Sequence, residues 1–281
     1  MINQYKHLIH STRHFENLNI QAGSDYRYQD ILSLKSFELA NKEISSWDRY
    51  ESTPLHSLSD LASDNGVSLI AYKDESHRFS LKSFKALGGA YAVANLLIKK
   101  LKEQGIEAKS SDLIAGTYSE ITSKITVCCA TDGNHGRSVA WGAQKFGCNC
   151  EIYIHRTVSV AREEAIAKYG SIVNRINGNY DESVHIAAEV SESNGYYVVS
   201  DTSYEGYTDI PKDVMQGYTV MVDEAMKQME EVPTHVFLQG GVGGFPAAVV
   251  SFLVESLECP PIFVVVEPTN ADCLFQSAVN G

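Results

Sequence analysis

The chain has 281 residues, a formal net charge of −12 at pH 7 and an isoelectric point of about 5.2. This acidic balance argues against a protein that binds nucleic acid through clustered Lys and Arg, since phosphate neutralisation requires a basic surface. No stretch approaches the roughly 20 apolar residues of a membrane-spanning helix, and residues 1–15 are too polar for the core of a signal peptide. We therefore expect a cytoplasmic protein with neither a membrane nor a nucleic-acid partner.

Apolar strand patterns alternate with amphipathic helical patterns, which predicts an α/β fold built from parallel sheets. Strands are predicted at residues 68–75, 124–132, 150–156, 171–176, 196–201, 234–241 and 261–268. Helices are predicted at residues 84–105, 136–147, 160–170, 181–195, 212–229 and 246–257, with Pro211 opening the fifth of them. The polar segment 109–123 is predicted to be a surface excursion without a function.

The six cysteines lack the spacing of a metal site or of a small disulfide scaffold. Cys128 and Cys129 are adjacent in an apolar run, while Cys148 and Cys150 are two apart, as on one face of a strand. These patterns predict reduced thiols in the core, which is the usual state in the cytoplasm. The scattered histidines also show no metal-binding spacing, so no metal site is predicted.

Residues 73–93 place two lysines, Lys82 and Lys85, in an apolar setting just before a tight pair of glycines, Gly88 and Gly89. In a purely structural interpretation, both lysines are solvated surface residues. A lysine whose amine condenses with an aldehyde would be the functional one.

A glycine-rich run at residues 237–250 lies between a predicted strand and a predicted helix. Ligands of open parallel sheets bind beyond the carboxyl ends of strands. Free backbone N–H groups and the positive end of the helix dipole suit a phosphate group there. The run is neither a GxGxxG dinucleotide fingerprint nor a P-loop. A tight glycine-rich turn is the structural alternative.

Two further strand ends carry polar residues that are candidates for contacts with a ligand. Asp132, Asn134 and His135 follow one strand: Asn134 suits a ring oxygen, Asp132 suits proton transfer, and His135 suits a hydrogen bond that stabilises the loop. Asp201 closes another strand before a polar loop. Both sets of residues also have a structural alternative. The residues after the first strand would simply form a turn, and Asp201 would cap the backbone as an Asx-type cap. Together, the three junctions and the lysine suit one ligand with a phosphate, a hydrogen-bonding ring and a carbonyl, as in pyridoxal phosphate.

Five motifs resemble those of the fold-type II pyridoxal-phosphate enzymes, and within that group those of the diaminopropionate ammonia-lyases. They are KDESHRFSLKSFKALGGAYA, CCATDGNHGRSVAW, DTSYEGYTDIP, LQGGVGGFPAA and VVVEPTNADCLFQSA, in the family's order from about residue 54 to the end. The resemblance implies a Schiff base on Lys85, with Lys82 as a bystander, Phe84 beside the cofactor and Asn134 at its ring oxygen. The implied phosphate loop consists of Gly240, Gly241, Val242, Gly243 and Gly244.

The reaction implied by this resemblance is pyridoxal-phosphate-dependent α,β-elimination from 2,3-diaminopropionate, which gives pyruvate and two ammonia molecules. Lys85 would take the α-proton from one enantiomer and Asp132 from the other, while Asp201 would bind or protonate the departing amine. Asp132 distinguishes this group from the related dehydratases, which usually carry a small residue there. The alternatives are a serine or threonine dehydratase, a D-amino-acid variant, or an inactive truncated protein that binds the cofactor or an amino acid.

The resemblance also implies two open parallel-sheet domains with helices on both faces. The larger, cofactor-binding domain would comprise residues 1–92 and 208–281, and the smaller α/β domain residues 93–207, with the cofactor in the cleft between them. Closure of the smaller domain would exclude water. A homodimer acting on a small amino acid is implied. Because the family's proteins continue beyond this point of the sequence, a C-terminal part is expected to be missing, with the side chain that faces the pyridine nitrogen.

Overall fold

The computed structural model describes residues 12–17 and 31–280. Much of the polar N-terminal segment, and residues 18–30 of the predicted larger domain, lie outside the described residues. None of the described helices is long and apolar enough to cross a membrane.

Helices and strands alternate through the described chain, with one 3₁₀ segment at Glu75–Ser80. The strands are β1 (Leu55–Ser57), β2 (Ala71–Lys73), β3 (Thr126–Ala130), β4 (Asn149–His155), β5 (Ile172–Ile176), β6 (Tyr197–Val198), β7 (His235–Gln239) and β8 (Ile262–Val266). The helices are α1 (Leu34–Ile44), α2 (Ser59–Asp64), α3 (Lys85–Lys102), α4 (Ser110–Ile114), α5 (Ser119–Thr122), α6 (Asn134–Phe146), α7 (Val160–Ala167), α8 (Tyr180–Asn194), α9 (Asp209–Gln228), α10 (Gly244–Ser256) and α11 (Cys273–Asn280).

A four-stranded parallel sheet has the order β5-β4-β3-β6. Its side chains alternate between two apolar faces, because successive residues of a strand point to opposite sides. Cys129 and Ile152 join the main core, whereas Cys128 and Tyr153 pack with Ala187 of α8. Both faces are therefore covered, as expected for parallel strands.

A second parallel pair, β7 with β8, is joined through α10. The predicted strand at 68–75 is shorter than expected: β2 pairs antiparallel with β1, with Leu55 opposite Lys73. This antiparallel pair was not predicted, because three-residue strands carry too little periodicity to detect. The predicted division at residue 93 falls inside α3 and remains a prediction.

Helix α3 packs closely between α6 and α9, and its two glycines explain how. A Cβ on Gly89 would lie 2.6 Å from Ser138 Oγ of α6, and a Cβ on Gly217 of α9 would lie 2.8 Å from Gly88 Cα. Gly88 and Gly89 therefore lie inside a helix, as the helix predicted at residues 84–105 requires. Their lack of side chains allows close approach of the helix backbones.

Two other predictions need correction. The segment 109–123 is not a simple surface excursion, since it contains α4 and α5 and buries Leu113. All six cysteines are free, but Cys259 and Cys273 are exposed and are therefore not core thiols. Cys148 lies just before β4 and does not share a strand face with Cys150. Helices α1, α2 and α11 were not predicted.

Candidate active site

Lys85 is the first residue of α3 and follows a segment of unusual backbone geometry. Phe79, Ser80 and Lys82 have φ angles of 46°, 61° and 55°, in the left-handed region that residues other than glycine seldom adopt. Such conformations persist only where surrounding contacts impose them, and they are frequent at functional sites. The chain just before Lys85 must therefore be held by its neighbours.

A buried cluster of charges holds the beginning of this segment. The Arg78 side chain is 1% exposed and donates to both carboxylate oxygens of Glu224 in α9, at 2.8 and 2.7 Å. It also donates to Glu75 at 2.7 Å, and Lys73 Nζ lies 2.9 Å from Glu224. Burial opposes ionisation of Glu224. The hydrogen bonds and charge of Arg78 nevertheless lower the pKa of the Glu224 carboxyl from 4.5 to about 2. The strained segment is thereby tied to α9.

The Lys85 amine is paired with Asp201, three residues after β6. Lys85 Nζ donates to Asp201 Oδ2 at 2.5 Å, and the two side chains are 22% and 13% exposed. Burial alone would lower the pKa of Lys85, but Tyr218 and Asp201 raise it above its ordinary value. Burial opposes the Asp201 charge, yet His135 and Lys85 lower the pKa of that carboxyl from 3.8 to about 2. The pair is an ammonium and a carboxylate at neutral pH.

His135 supports the same carboxylate from α6. Its Nδ1 lies 3.8 Å from Asp201 Oδ2, and its Nε2 lies 2.7 Å from the Val199 carbonyl oxygen. Because a carbonyl only accepts hydrogen bonds, Nε2 carries a proton. The hydrogen bond that the sequence predicted for His135 is thus made to the chain segment that leads to Asp201.

Two aromatic rings lie beside the amine, and a third ring packs against them. The ring centre of Phe84 lies 5.0 Å from that of Tyr218 in α9 and 4.6 Å from that of Phe245 in α10. Lys85 Nζ lies 5.6 Å from the Phe84 ring centre and 5.4 Å from the Tyr218 ring centre. Helices α3, α9 and α10 therefore converge on Lys85.

The junction between β3 and α6 is shaped by a threonine. Thr131 Oγ1 accepts hydrogen bonds from the N–H groups of Gly133 and Gly136, each at 3.1 Å. Helix α6 consequently begins at Asn134. Asn134 and His135 lie in its first turn, whereas the sequence placed them in a loop, because DGNHG composition resembles that of an ordinary turn.

Asp132 and Asn134 are both exposed at this junction. Asn134 Oδ1 accepts a hydrogen bond from Arg137 at 3.1 Å, and Arg137 also donates to the Leu81 carbonyl. The Asp132 carbonyl accepts from Arg162 at 3.2 Å. Within the described part of the chain, the Asp132 carboxylate has no hydrogen-bond partner and is accessible to a ligand.

The predicted phosphate loop, residues 240–244, joins β7 to α10. Gly243 has a φ of 89°, which favours glycine, and a Cβ on Gly240 would lie 2.4 Å from Glu267 Cγ, so a side chain at residue 240 would displace Glu267. Among the described residues, no side chain caps the N-terminus of α10. Its first N–H groups therefore remain available for an anion.

A cleft of about 390 Å³ lies beside this loop. Gly243 and Gly244 line one part of it, and Asp201 and Ser203 line another. A Cβ on Gly244 would lie 3.4 Å from the Asp201 backbone oxygen, so loop and carboxylate belong to one site. The cleft continues along apolar side chains from Pro211, Met215, Ala247 and Val250.

The geometry thus brings Lys85, Phe84, Asp201 and the glycine loop together, with Asp132 and Asn134 at the adjoining end of α6. Their roles in a reaction remain predictions. Tyr218 and Phe245 were missed, because both occupy apolar positions of helices where a core residue is the ordinary expectation.

Comparison with known proteins agrees with this arrangement. Residues 47–281 match the family described as "Pyridoxal-phosphate dependent enzyme". The chain belongs to this family. Pyridoxal phosphate is therefore its cofactor, and the α/β fold predicted from the sequence is confirmed.

Two relatives of known identity and one solved structure are similar to this member of the pyridoxal-phosphate dependent family. The chain is 43% identical over 236 residues to diaminopropionate ammonia-lyase of Escherichia coli strain K12, covering 83% of this chain and 58% of the relative. It is 41% identical over 238 residues to that of Salmonella typhimurium, covering 82% and 58%. The crystal structure of selenomethionine-incorporated holo diaminopropionate ammonia lyase from Escherichia coli superposes with a TM-score of 0.82 at 39% identity, covering 89% of this chain and 64% of that one. The chain thus spans less than two thirds of these relatives' length.

The residues present fit the cofactor of the family. The amine of Lys85 suits its aldehyde, and the glycine loop with the uncapped end of α10 suits its phosphate. Phe84 supplies an apolar surface beside the amine.

Proposed function

We propose that this protein catalyses the α,β-elimination of 2,3-diaminopropionate to pyruvate and two ammonia molecules. The observation that carries the proposal is the half-buried pair of Lys85 Nζ and Asp201 Oδ2, 2.5 Å apart beside the glycine loop. The similarity to the diaminopropionate ammonia-lyases of Escherichia coli and Salmonella typhimurium supports the choice of substrate.

Pyridoxal phosphate, when bound, supplies an aldehyde for an amine and an electron-withdrawing ring that accepts the electron pair of the substrate's α-carbon. We assign Lys85 as the residue that holds it covalently, and residues 240–244 with the start of α10 as its phosphate site. Asn134 is assigned to the ring oxygen, because it is exposed at the end of α6 that reaches Asp201 through His135.

Lys85, once its amine is free, takes the α-proton of one enantiomer. Its raised pKa favours retention of that proton on Nζ. Asp201 is adjacent and ionised, so it can receive the ammonium of the departing β-amine. Because Asp201 already binds one ammonium group, exchange of Lys85 for a substrate amine keeps the carboxylate paired.

Asp132 takes the α-proton of the opposite enantiomer. Its carboxylate is exposed at the β3–α6 junction and has no partner within the described residues. A free carboxylate can act as a general base when the substrate places its proton within hydrogen-bond reach. Lys85 and Asp132 lie on different elements, which supports approach from two directions.

The test is pyruvate release by the chain after loading with pyridoxal phosphate. Each enantiomer of 2,3-diaminopropionate is compared with L-serine, D-serine and L-threonine under the same conditions. Turnover of diaminopropionate well above all three controls is the expected result. Preference for serine or threonine would replace the proposal with a dehydratase, and cofactor binding without any turnover would favour a binding protein.

We further propose the two-domain division at residues 1–92 with 208–281 and at 93–207, a homodimer, and a cytoplasmic location. The four parallel strands β3 to β6 all fall within residues 93–207, which supports the smaller domain. The net charge of −12 supports the absence of a nucleic-acid partner. Sedimentation of the loaded protein tests the oligomeric state, and a monomer at micromolar concentration would contradict it.

A further inference from the structure

The hydroxyl of Tyr218 is buried without a hydrogen-bond partner. Tyr218 has no exposed surface, and its OH is among the few buried side-chain polar atoms of the described chain that lack a partner. Burying an unsatisfied hydroxyl costs free energy, and buried hydroxyls are normally bonded. A phenylalanine would fill the same space between Phe84 and Phe245 without that cost. The hydroxyl therefore calls for an explanation other than packing.

The surrounding helices are shaped to place this ring beside the Lys85 amine. A Cβ on Gly88 would lie 2.5 Å from Tyr218 Cε1, so only glycine in α3 allows the ring its position. A Cβ on Gly217, the residue before Tyr218, would lie 2.8 Å from Gly88 Cα. Lys85 Nζ lies 5.4 Å from the ring centre. Close packing of α3 and α9 thus places the Tyr218 ring beside the Lys85 amine.

The Lys85 ammonium group has hydrogen-bond donors that Asp201 does not use. An ammonium group carries three N–H donors, and one of them binds Asp201. A phenolic oxygen can accept a second. The lysine stem is flexible, so rotation of the side chain can turn one of these donors toward the phenolic oxygen.

We propose that Tyr218 is a positioning residue, whose hydroxyl oxygen accepts a hydrogen bond from the Lys85 ammonium and stabilises the amine in its protonated form. This inference rests on the role of Lys85 in the proposed function and adds a second partner to it. Whenever Lys85 gains a proton and turns from Asp201, Tyr218 keeps Nζ hydrogen-bonded and oriented.

The titratable groups that face Lys85 come from four elements. They are Asp201 after β6, His135 of α6, which lies 3.8 Å from Asp201, Tyr180 of α8, and Tyr218 of α9. Tyr180 has a pKa raised to about 12 by burial, with the charges of Asp201 and Lys85 also acting on it. Substitution of Tyr218 by phenylalanine leaves the other three groups unchanged, so a difference in Lys85 titration isolates the hydroxyl.

The test compares Tyr218→Phe with wild type and with Tyr91→Phe, a matched removal of a hydroxyl from a buried tyrosine of α3 that lies outside the site. Each protein is treated with pyridoxal phosphate at a series of pH values and then with borohydride. Peptide mass spectrometry gives the pH at which Lys85 is half modified. Modification requires the neutral amine, so this midpoint follows the Lys85 pKa.

Loss of an acceptor for the ammonium lowers that pKa. We expect the Tyr218→Phe midpoint to fall by about one pH unit, the size expected for a hydrogen bond to a charged group, and the Tyr91→Phe midpoint to stay at the wild-type value. Tyr218→Phe should still melt cooperatively, because a phenylalanine ring fills the same space between Phe84 and Phe245.

An unchanged or higher midpoint in Tyr218→Phe overturns the inference while leaving the proposed function intact. A loss of cooperative melting in Tyr218→Phe also overturns it, because the hydroxyl would then be structural. If wild-type Lys85 is not the modified lysine, the proposed function itself fails, and the inference falls with it.

Discussion

Lys85 Nζ donates a hydrogen bond to Asp201 Oδ2 at 2.5 Å, joining the first residue of α3 to the chain after β6. The two residues are 116 positions apart in sequence. Their pairing depends on two separate supports: the buried Arg78 cluster that fixes the chain before α3, and His135, which bonds the segment that leads to Asp201. The Lys85 amine is thereby held where several elements meet.

The first prediction separates the two lysines of the opening stretch. Lys85→Ala should abolish borohydride-stable attachment of pyridoxal phosphate, whereas Lys82→Ala should retain it. The physical reason is that Lys85 points into the site beside Asp201, while Lys82 is exposed and outside it. Absorbance of the bound cofactor and mass spectrometry of the reduced protein measure the outcome. Attachment that survives in Lys85→Ala at the wild-type level would contradict the assignment.

The second prediction concerns the buried charges that support the segment before Lys85. Glu224→Gln should reduce the free energy of unfolding by about 3 kcal/mol, because Arg78 would be left buried with an incomplete counter-charge. Glu103→Gln removes an exposed pair with Lys100 and should cost no more than about 0.5 kcal/mol. Denaturant titrations at pH 7 measure both values. Equal effects in the two variants would rule out a special role for the buried cluster.

The same carboxylate gives the stability a defined pH dependence. The pKa of Glu224 is lowered from 4.5 to about 2 by folding, so its contribution is complete above about pH 4.5 and is lost as the pH falls toward 2. Wild type should therefore lose more stability across this window than Glu224→Gln. Parallel unfolding curves at several pH values would show the difference narrowing on acidification, and a constant difference would contradict the assigned pKa.

Much of the fold could be predicted, because its parallel strands are continuous apolar runs between amphipathic helices. Strands β3, β4 and β5 lie within a few residues of their predicted positions, and Pro211 falls in the first turn of α9 as expected. The short strands β1 and β2 could not be predicted, since three residues give no usable alternation.

Part of the candidate site could likewise be predicted from the sequence, and part could not. Glycines at a strand end and a carboxylate after a strand carry local signals, so the 240–244 loop and Asp201 could be predicted as candidates from the sequence. Tyr218 carries none, because its position beside Lys85 depends on the approach of α9 to α3 at Gly88. Contacts between distant elements are tertiary properties, which composition and spacing do not encode.

The third prediction tests that close approach. Gly88→Ala gains helix propensity of about 1 kcal/mol, but the new Cβ would lie 2.6 Å from the Val214 carbonyl oxygen and 2.5 Å from Tyr218. Since the helix backbone must move to relieve these contacts, we expect a net loss of about 1–3 kcal/mol in unfolding free energy. Gly241→Ala is the control, because a Cβ there meets nothing within 4 Å. A Gly88→Ala protein as stable as wild type would show that α3 and α9 can separate freely.

The fourth prediction addresses the division of labour between Lys85 and Asp132. Asp132→Asn keeps the size and polarity of the side chain but removes its capacity to accept a proton at neutral pH. Under the proposed function, turnover of one enantiomer of 2,3-diaminopropionate should fall by about 100-fold, within the range for loss of a general base. The other enantiomer depends on Lys85 and should change by less than about tenfold. Pyruvate release from each pure enantiomer gives the two values.

Asp181→Asn provides the matched control for this variant, because Asp181 is an exposed carboxylate in the first turn of α8 and has no place in the site. It should leave both enantiomers near the wild-type rate. The ratio of the two rates is the decisive quantity, since a general loss of folding or of cofactor binding lowers both together. Equal losses for the two enantiomers in Asp132→Asn would remove Asp132 from proton abstraction. They would leave it, at most, a role in substrate binding at the start of α6.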